Sequence, residues 1–144
     1  MSSFGKKFCE RTRQAAVAVI RFSAQLPRNP AGWEIGKQVV RSSNSVAANL
    51  EEAQGAITGP DFLNKVNLAR KEARETLMWL RNIRDSGLAD GQALENLIGE
   101  YNEVVGILVA SVKTLQNQSA KPAARRSSST RDSRLATRDS RETR

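Results

Sequence analysis

Apolar residues recur at steps of three and four along four stretches of the chain, and the breaks between the stretches fall on Pro, Gly, Asn and Asp. Phe4, Phe8, Ala15, Val19, Phe22 and Leu26 make the first stripe, which stops before "LPRNP", with Pro27 and Pro30 as its terminators. Ile35, Val39, Val46, Leu50 and Ala53 make the second, from about Gly32 to Gln54, closed by "GAITGP". The third is Phe62, Val66, Ala69, Ala73, Leu77 and Leu80; the fourth is Leu94, Leu97, Tyr101, Val104, Val105, Leu108, Val112 and Leu115. Such a spacing places apolar side chains on one side of an α-helix. Four helices with short connections must be antiparallel neighbours burying their stripes together. The predicted fold is therefore all-α, an antiparallel up-down-up-down four-helix bundle over residues 1–118.

Local signals fix the breaks. Thr58 can cap the third helix with Asp61 three residues on, and Pro60 is tolerated in the opening turn. In "DSGL", Gly87 suits the left-handed position after a helix and Leu88 the apolar contact that follows it. Asp90 is the expected N-cap of the fourth helix.

Composition then removes classes of function. The chain has no histidine, which takes away the commonest general base, neutral-pH switch and zinc ligand. A carboxylate-bridged metal centre in a four-helix bundle draws on Glu-x-x-His pairs, so Glu52, Glu72 and Glu75 do not make one here. Cys9 stands alone, with no partner for a disulfide and no histidine to activate it. No phosphate-binding glycine loop occurs. The expectation is a non-enzymatic protein with no cofactor and no metal. "MSSFGKKFCERTR" lacks the apolar stretch of a secretory signal and no run is long enough for a membrane span, so a soluble cytoplasmic protein is expected.

The net charge is +8, and residues 119–144 carry eight basic and three acidic side chains, which leaves +3 for residues 1–118. That segment is rich in Ser, Thr and Arg, contains "TRDSR" twice, and is predicted to be a disordered basic tail because it cannot bury enough apolar surface. Arg125 and Arg126 in "RRSSS" suggest an RNA-tethering arm or a phosphorylated segment; a solvated extension grown by local duplication explains them as well. In the bundle, Lys6 and Arg13 share a face of the first helix, Lys37 and Arg41 lie one turn apart on the second, and Arg70, Arg74 and Arg81 line a flank of the third. These basic faces are the candidate nucleic-acid contacts, reading backbone charge more than sequence, since no aromatic residues are interleaved for base stacking.

The second helix is unusually polar through "RSSNSVAANLEEA". At 100° per residue Ser45, Asn49 and Glu52 form one stripe beside the apolar one, expected to be a structural hydrogen-bonding seam against a neighbouring helix and to meet Glu72 and Glu75. On the third helix Leu68, Glu72, Glu75 and Trp79 lie away from the core stripe. A leucine and a tryptophan there point to subunit packing, with Leu68 and Trp79 in an oligomer interface; a tryptophan wedged into the bundle edge is the plainer explanation.

"VVRSSNSVAANLEEA" followed by "FLNKVNLARKEARETLMWLRNI" resembles the four-helix bundle proteins encoded by intervening sequences in bacterial large-subunit ribosomal RNA genes. The matching positions are Ser45, Val46, Ala47, Ala48, Asn49, Leu50, Glu51, Glu52 and Ala53 in the second helix, where Ala53 stands in place of the usual glycine. In the third they are Phe62, Lys71, Glu72, Ala73, Glu75, Thr76, Trp79 and Leu80. The resemblance spans about residues 5–118 and excludes the tail. It implies a homo-oligomer, with a pentameric barrel of bundles as the expected form. Relatives include the accessory variability determinant of diversity-generating retroelements, a basic pentamer that binds a reverse transcriptase and nucleic acid. The resemblance thus implies an oligomeric adaptor that binds RNA or DNA, with a reverse transcriptase as a further partner. A protein-only scaffold, whose folded part binds no nucleic acid, stands as the alternative.

Overall fold

The computed structural model describes the backbone of residues 2–139 and the side chains of residues 2–120. It contains four helices, α1 (Ser3–Ser23), α2 (Pro30–Gln54), α3 (Gly59–Asp85) and α4 (Gln92–Asp139). Residues Met1–Val112 form one compact unit. In it α1 packs on α2 and α2 on α3. Arg11 reaches Glu100 and Glu103 on α4, and Arg84 approaches Glu95 at 3.8 Å, which closes the ring of helices on both sides of α4. The expected up-down-up-down bundle is the observed one.

Its core is drawn from the four stripes, with Ile83 added; Phe4, expected in the first stripe, is 62% exposed at the N-terminal end of α1, and Ile35, Phe62, Val105 and Leu115 are half-buried. Val19, Val39, Val46, Ala69, Ala73, Leu80, Ile83, Leu94, Tyr101 and Val104 are all fully buried. Turn chemistry acts where it was expected at α3: the Thr58 hydroxyl accepts from the Asp61 amide at 3.2 Å. At its other end Gly87 takes φ +73, Leu88 N–H donates to the Ile83 carbonyl and Gly87 N–H to that of Arg84, each at 3.1 Å. That pair of bonds satisfies two carbonyls that a helix end otherwise leaves bare.

Other boundaries differ from expectation. Pro30 does not terminate a helix; it opens α2, whose N-cap is Asn29, with Asn29 Oδ1 accepting from Gly32 N–H at 2.9 Å. A proline lacks the amide hydrogen that the first turn would leave unbonded anyway, so it suits this place. Asp90 does not cap α4: Gly91 intervenes with φ +107, and the helix begins at Gln92. The α4 backbone is helical to Asp139, past the expected boundary at 118. The expected disordered tail thus has a helical backbone through Asp139, while the side chains from 121 onward and the backbone of residues 140–144 lie outside the described residues.

All four helices place a hydroxyl in the core. Thr12, Ser42, Ser43 and Thr76 are fully buried. Thr76 Oγ1 lies 2.8 Å from Ser42 Oγ and 2.9 Å from the Glu72 carbonyl. Thr12 donates to the Cys9 carbonyl at 3.0 Å and Ser43 to that of Val40 at 3.1 Å. Among the described residues the Tyr101 hydroxyl alone is buried without a hydrogen-bond partner, and burial pushes its ionisation well above the ordinary phenol range even though Ser43 is its polar neighbour. A buried unbonded hydroxyl costs about 1–3 kcal/mol. Tyr101→Phe removes it while keeping the ring, so thermal melts should show the variant as stable as the parent or more stable by about 1 kcal/mol; a loss of more than that would show a bond at this hydroxyl.

Candidate functional site

The polar residues of α2 divide their bonds in a way that the helical wheel alone does not give. Asn49 Nδ2 donates to the Ser45 carbonyl at 2.8 Å and to Ser45 Oγ at 3.2 Å, both within its own helix. The expectation that Ser45 and Asn49 bond the neighbouring helix is corrected accordingly: a short amide finds the carbonyl one turn back before it can reach across. Glu52 does cross, pairing with Lys65 of α3 at 2.9 Å, and it does not meet Glu72 or Glu75.

The residue that spans to those two glutamates is Arg41. Expected on the outside of α2, it lies with its side chain half-exposed, donates to Glu72 at 3.3 Å, and pairs with Glu75 through its other terminal nitrogen. Beneath this clasp lies the Ser42 and Thr76 contact. A long side chain with a planar fork of donors can bridge two carboxylates one turn apart where a serine or asparagine cannot. Trp79 Nε1 donates to the same Glu75 at 3.2 Å. Leu68, Glu72, Glu75 and Trp79 are all half-buried, and the two glutamates are turned toward α2, not away from the bundle.

The Arg41 guanidinium holds the Glu75 carboxyl below its usual range against the opposing effect of burial, and Trp79 adds to the lowering. A carboxylate depressed in the folded state contributes stability above its unfolded value near 4.3, and that contribution is lost as pH falls through the lower folded value. Wild type should therefore melt higher than Arg41→Ala at about pH 7, and the gap should narrow progressively as pH falls below about 4.3. A gap that stayed constant would mean that the pair does not titrate as described.

The candidate cationic residues sort by what holds them. Arg13 pairs with Glu10 at 2.9 Å, and hydrogen bonds from Arg13 and Gln14 bring Glu10 down to about 2. Arg70 is half-buried, with its Nε on Asn67 at 2.9 Å. Lys6, Lys37, Arg74 and Arg81 are exposed and form no ion pair among the described residues. Lys71 joins them. From the sequence it counts as a position of the family pattern and not as one of the basic contacts; the glutamate four residues on, Glu75, is occupied by Arg41. Arg125 and Arg126 lie outside the described residues.

Elsewhere, a groove of about 610 Å³ runs between α1 and α4, floored by Ala15, Ala18, Phe22 and Leu97 and edged by Arg21 and Glu100. The Cys9 thiol is buried, donates to the Leu50 carbonyl at 3.5 Å, and is pushed up by burial. No group of three or more metal-ligating side chains occurs among the described residues, and no described helix is long and apolar enough to cross a membrane.

Comparison with known proteins adds the following. The family model described as "23S rRNA-intervening sequence protein" matches residues 6–110. Among solved structures, the chain is similar to a protein of unknown function from the S23 ribosomal protein family of Bacteroides thetaiotaomicron, at 28% identity and a TM-score of 0.69, over 76% of this chain and 97% of that one. No curated protein matches it.

Proposed function

We infer the function of this chain from its membership and its charge: it belongs to the 23S rRNA-intervening sequence protein family, and its third helix presents cations that no acidic group answers among the described residues. It acts as a non-enzymatic, cytoplasmic adaptor that binds the backbone of RNA or DNA through basic helix faces. The observation that carries this reading is the occupation of Glu72 and Glu75 by Arg41, which leaves Lys71, Arg74 and Arg81 of α3 without an acidic partner among the described residues. Fixed cations on a rigid helix gain affinity for phosphates by releasing counterions.

Self-association strengthens the same surface. In a homo-oligomer, with a pentamer as the form the family resemblance suggests, each patch is repeated in a ring and the contacts act at high effective concentration. The half-buried Leu68 and Trp79 and the exposed Met78, at 43%, are apolar groups available for such packing. The α1/α4 groove supports a second reading, an oligomeric scaffold that docks a helical segment of a protein such as a reverse transcriptase.

Binding of the full chain and of residues 1–118 to labelled single-stranded RNA and duplex DNA, across a salt series with oligomer mass followed by light scattering, separates the two. The adaptor reading predicts that residues 1–118 retain binding with a steep salt slope. Binding lost together with the tail would leave the bundle as a scaffold.

A further inference from the structure

Resting on the nucleic-acid reading above, we propose that the α3 stripe of Arg70, Lys71, Arg74 and Arg81 docks along the phosphate backbone of a nucleic-acid duplex. Arg41 is a positioning residue in this account: it keeps the stripe positive by cancelling Glu72 and Glu75, and it does not itself touch phosphate.

The placement follows from helix geometry. Arg70, Arg74 and Arg81 fall within about 40° of one another around α3 and span about 16 Å along it, with Lys71 on the adjoining outer ledge. A duplex presents one phosphate charge per about 1.7 Å of its axis, so a straight stripe of that length meets several. The stripe is also pre-ordered: α3 is a continuous 27-residue helix, and Asn67 already holds the Arg70 guanidinium. Single-strand platforms, by contrast, need exposed aromatic faces on which bases stack. The exposed large apolar residue on α3 is Met78, and its tryptophan is half-buried with its ring nitrogen on Glu75. Charge and rigidity without stacking faces select a duplex.

Arg41 decides the sign of the local field. The stripe carries four cations and α3 interleaves two glutamates among them. Lys71 stands four residues before Glu75, one helical turn away on the neighbouring row, so it would be drawn to an uncompensated Glu75. The clasp from α2 removes that competition. Loss of Arg41 therefore subtracts more than one charge, because it frees two carboxylates and diverts a stripe cation to one of them.

The test is affinity of the full chain for an RNA duplex, a DNA duplex and a single strand of matched length, each over a salt series, with folding of every variant checked by circular dichroism. Wild type should bind both duplexes more tightly than the single strand. The variant K71Q/R74Q/R81Q should lose at least about tenfold in duplex affinity and flatten the salt slope by about 3, whereas the charge-matched K7Q/R21Q/R28Q should lose far less. R41Q should weaken binding by about threefold or more, E72Q/E75Q should tighten it, and R41Q/E72Q/E75Q should return to within about twofold of wild type. Should R41Q/E72Q/E75Q fold poorly, E72Q/E75Q alone decides, since failure to tighten overturns the masking role. A persistent defect in a folded R41Q/E72Q/E75Q would make Arg41 a phosphate contact and also overturn it. Duplex binding that survives K71Q/R74Q/R81Q would sink the stripe while leaving the adaptor reading standing; wild type that binds no nucleic acid would sink both.

Discussion

Gly32→Ala is expected to lower the stability of the bundle by about 3 kcal/mol, a fall of roughly 10 °C or more in Tm for a domain of this size. Gly32 lies in the first turn of α2, beneath the loop that brings the chain over from α1, and a Cβ added there would stand 1.9 Å from the Pro27 carbonyl oxygen and 3.0 Å from its carbon. Those atoms are backbone, so relief requires the loop itself to move. The same carbonyl accepts from Asn29 N–H at 3.0 Å, and Asn29 caps α2 through the Gly32 amide. Moving the loop therefore also loosens the cap, which is worth about 1 kcal/mol. Gly36 is the control one turn on: its added Cβ would meet only Leu26 Cδ1, at 3.5 Å, an ordinary contact. Gly36→Ala should be neutral or stabilise by up to about 1 kcal/mol through helix propensity. Equal effects at the two sites in parallel thermal melts would contradict this account of the loop.

Ala73→Leu should cost a comparable amount, about 3 kcal/mol. Ala69 and Ala73 are both fully buried on the face that α3 turns to the core. Their small side chains, with the Ser42 and Thr76 hydroxyl contact nearby in sequence, let α2 and α3 approach closely. Three further carbon atoms at 73 have nowhere to go except by separating the helices, and separation breaks that buried hydroxyl contact as well. Ala48→Leu, on the exposed side of α2, adds the same atoms into solvent and should change stability by less than about 0.5 kcal/mol. Chemical denaturation of both variants measures the difference, and an Ala73→Leu protein as stable as its parent would mean that the interface contains slack.

The architecture was legible in the sequence because apolar periodicity and turn chemistry act locally. The Thr58 cap and the Gly87 stop depend on residues within a few positions of one another, and both were readable before any tertiary contact was known. The misread boundaries are instructive in the same terms. Pro30 was a breaker by type, but at the first position of a helix it breaks nothing, and Asn29 beside it was the stronger signal. The site was less legible. A helical wheel ranks residues by angle and takes no account of reach, so it placed Ser45 and Asn49 in an interhelical seam that their short side chains do not form. It put Arg41 outside, where its long side chain nonetheless folds over to Glu72 and Glu75. Lys71 gained its place among the unpaired cations only from the structure, because its freedom depends on Arg41 of another helix occupying Glu75.

The central claim, that α3 carries the polyanion-binding surface, is most directly tested by lysine footprinting of the full chain with an amine-specific acylating reagent, with and without an RNA duplex. Lys71 should be strongly protected on binding, and Lys65, already paired with Glu52, should change little. Protection confined to Lys113 and Lys121, with Lys71 as reactive as in the free protein, would contradict the account and move the binding surface to the C-terminal segment.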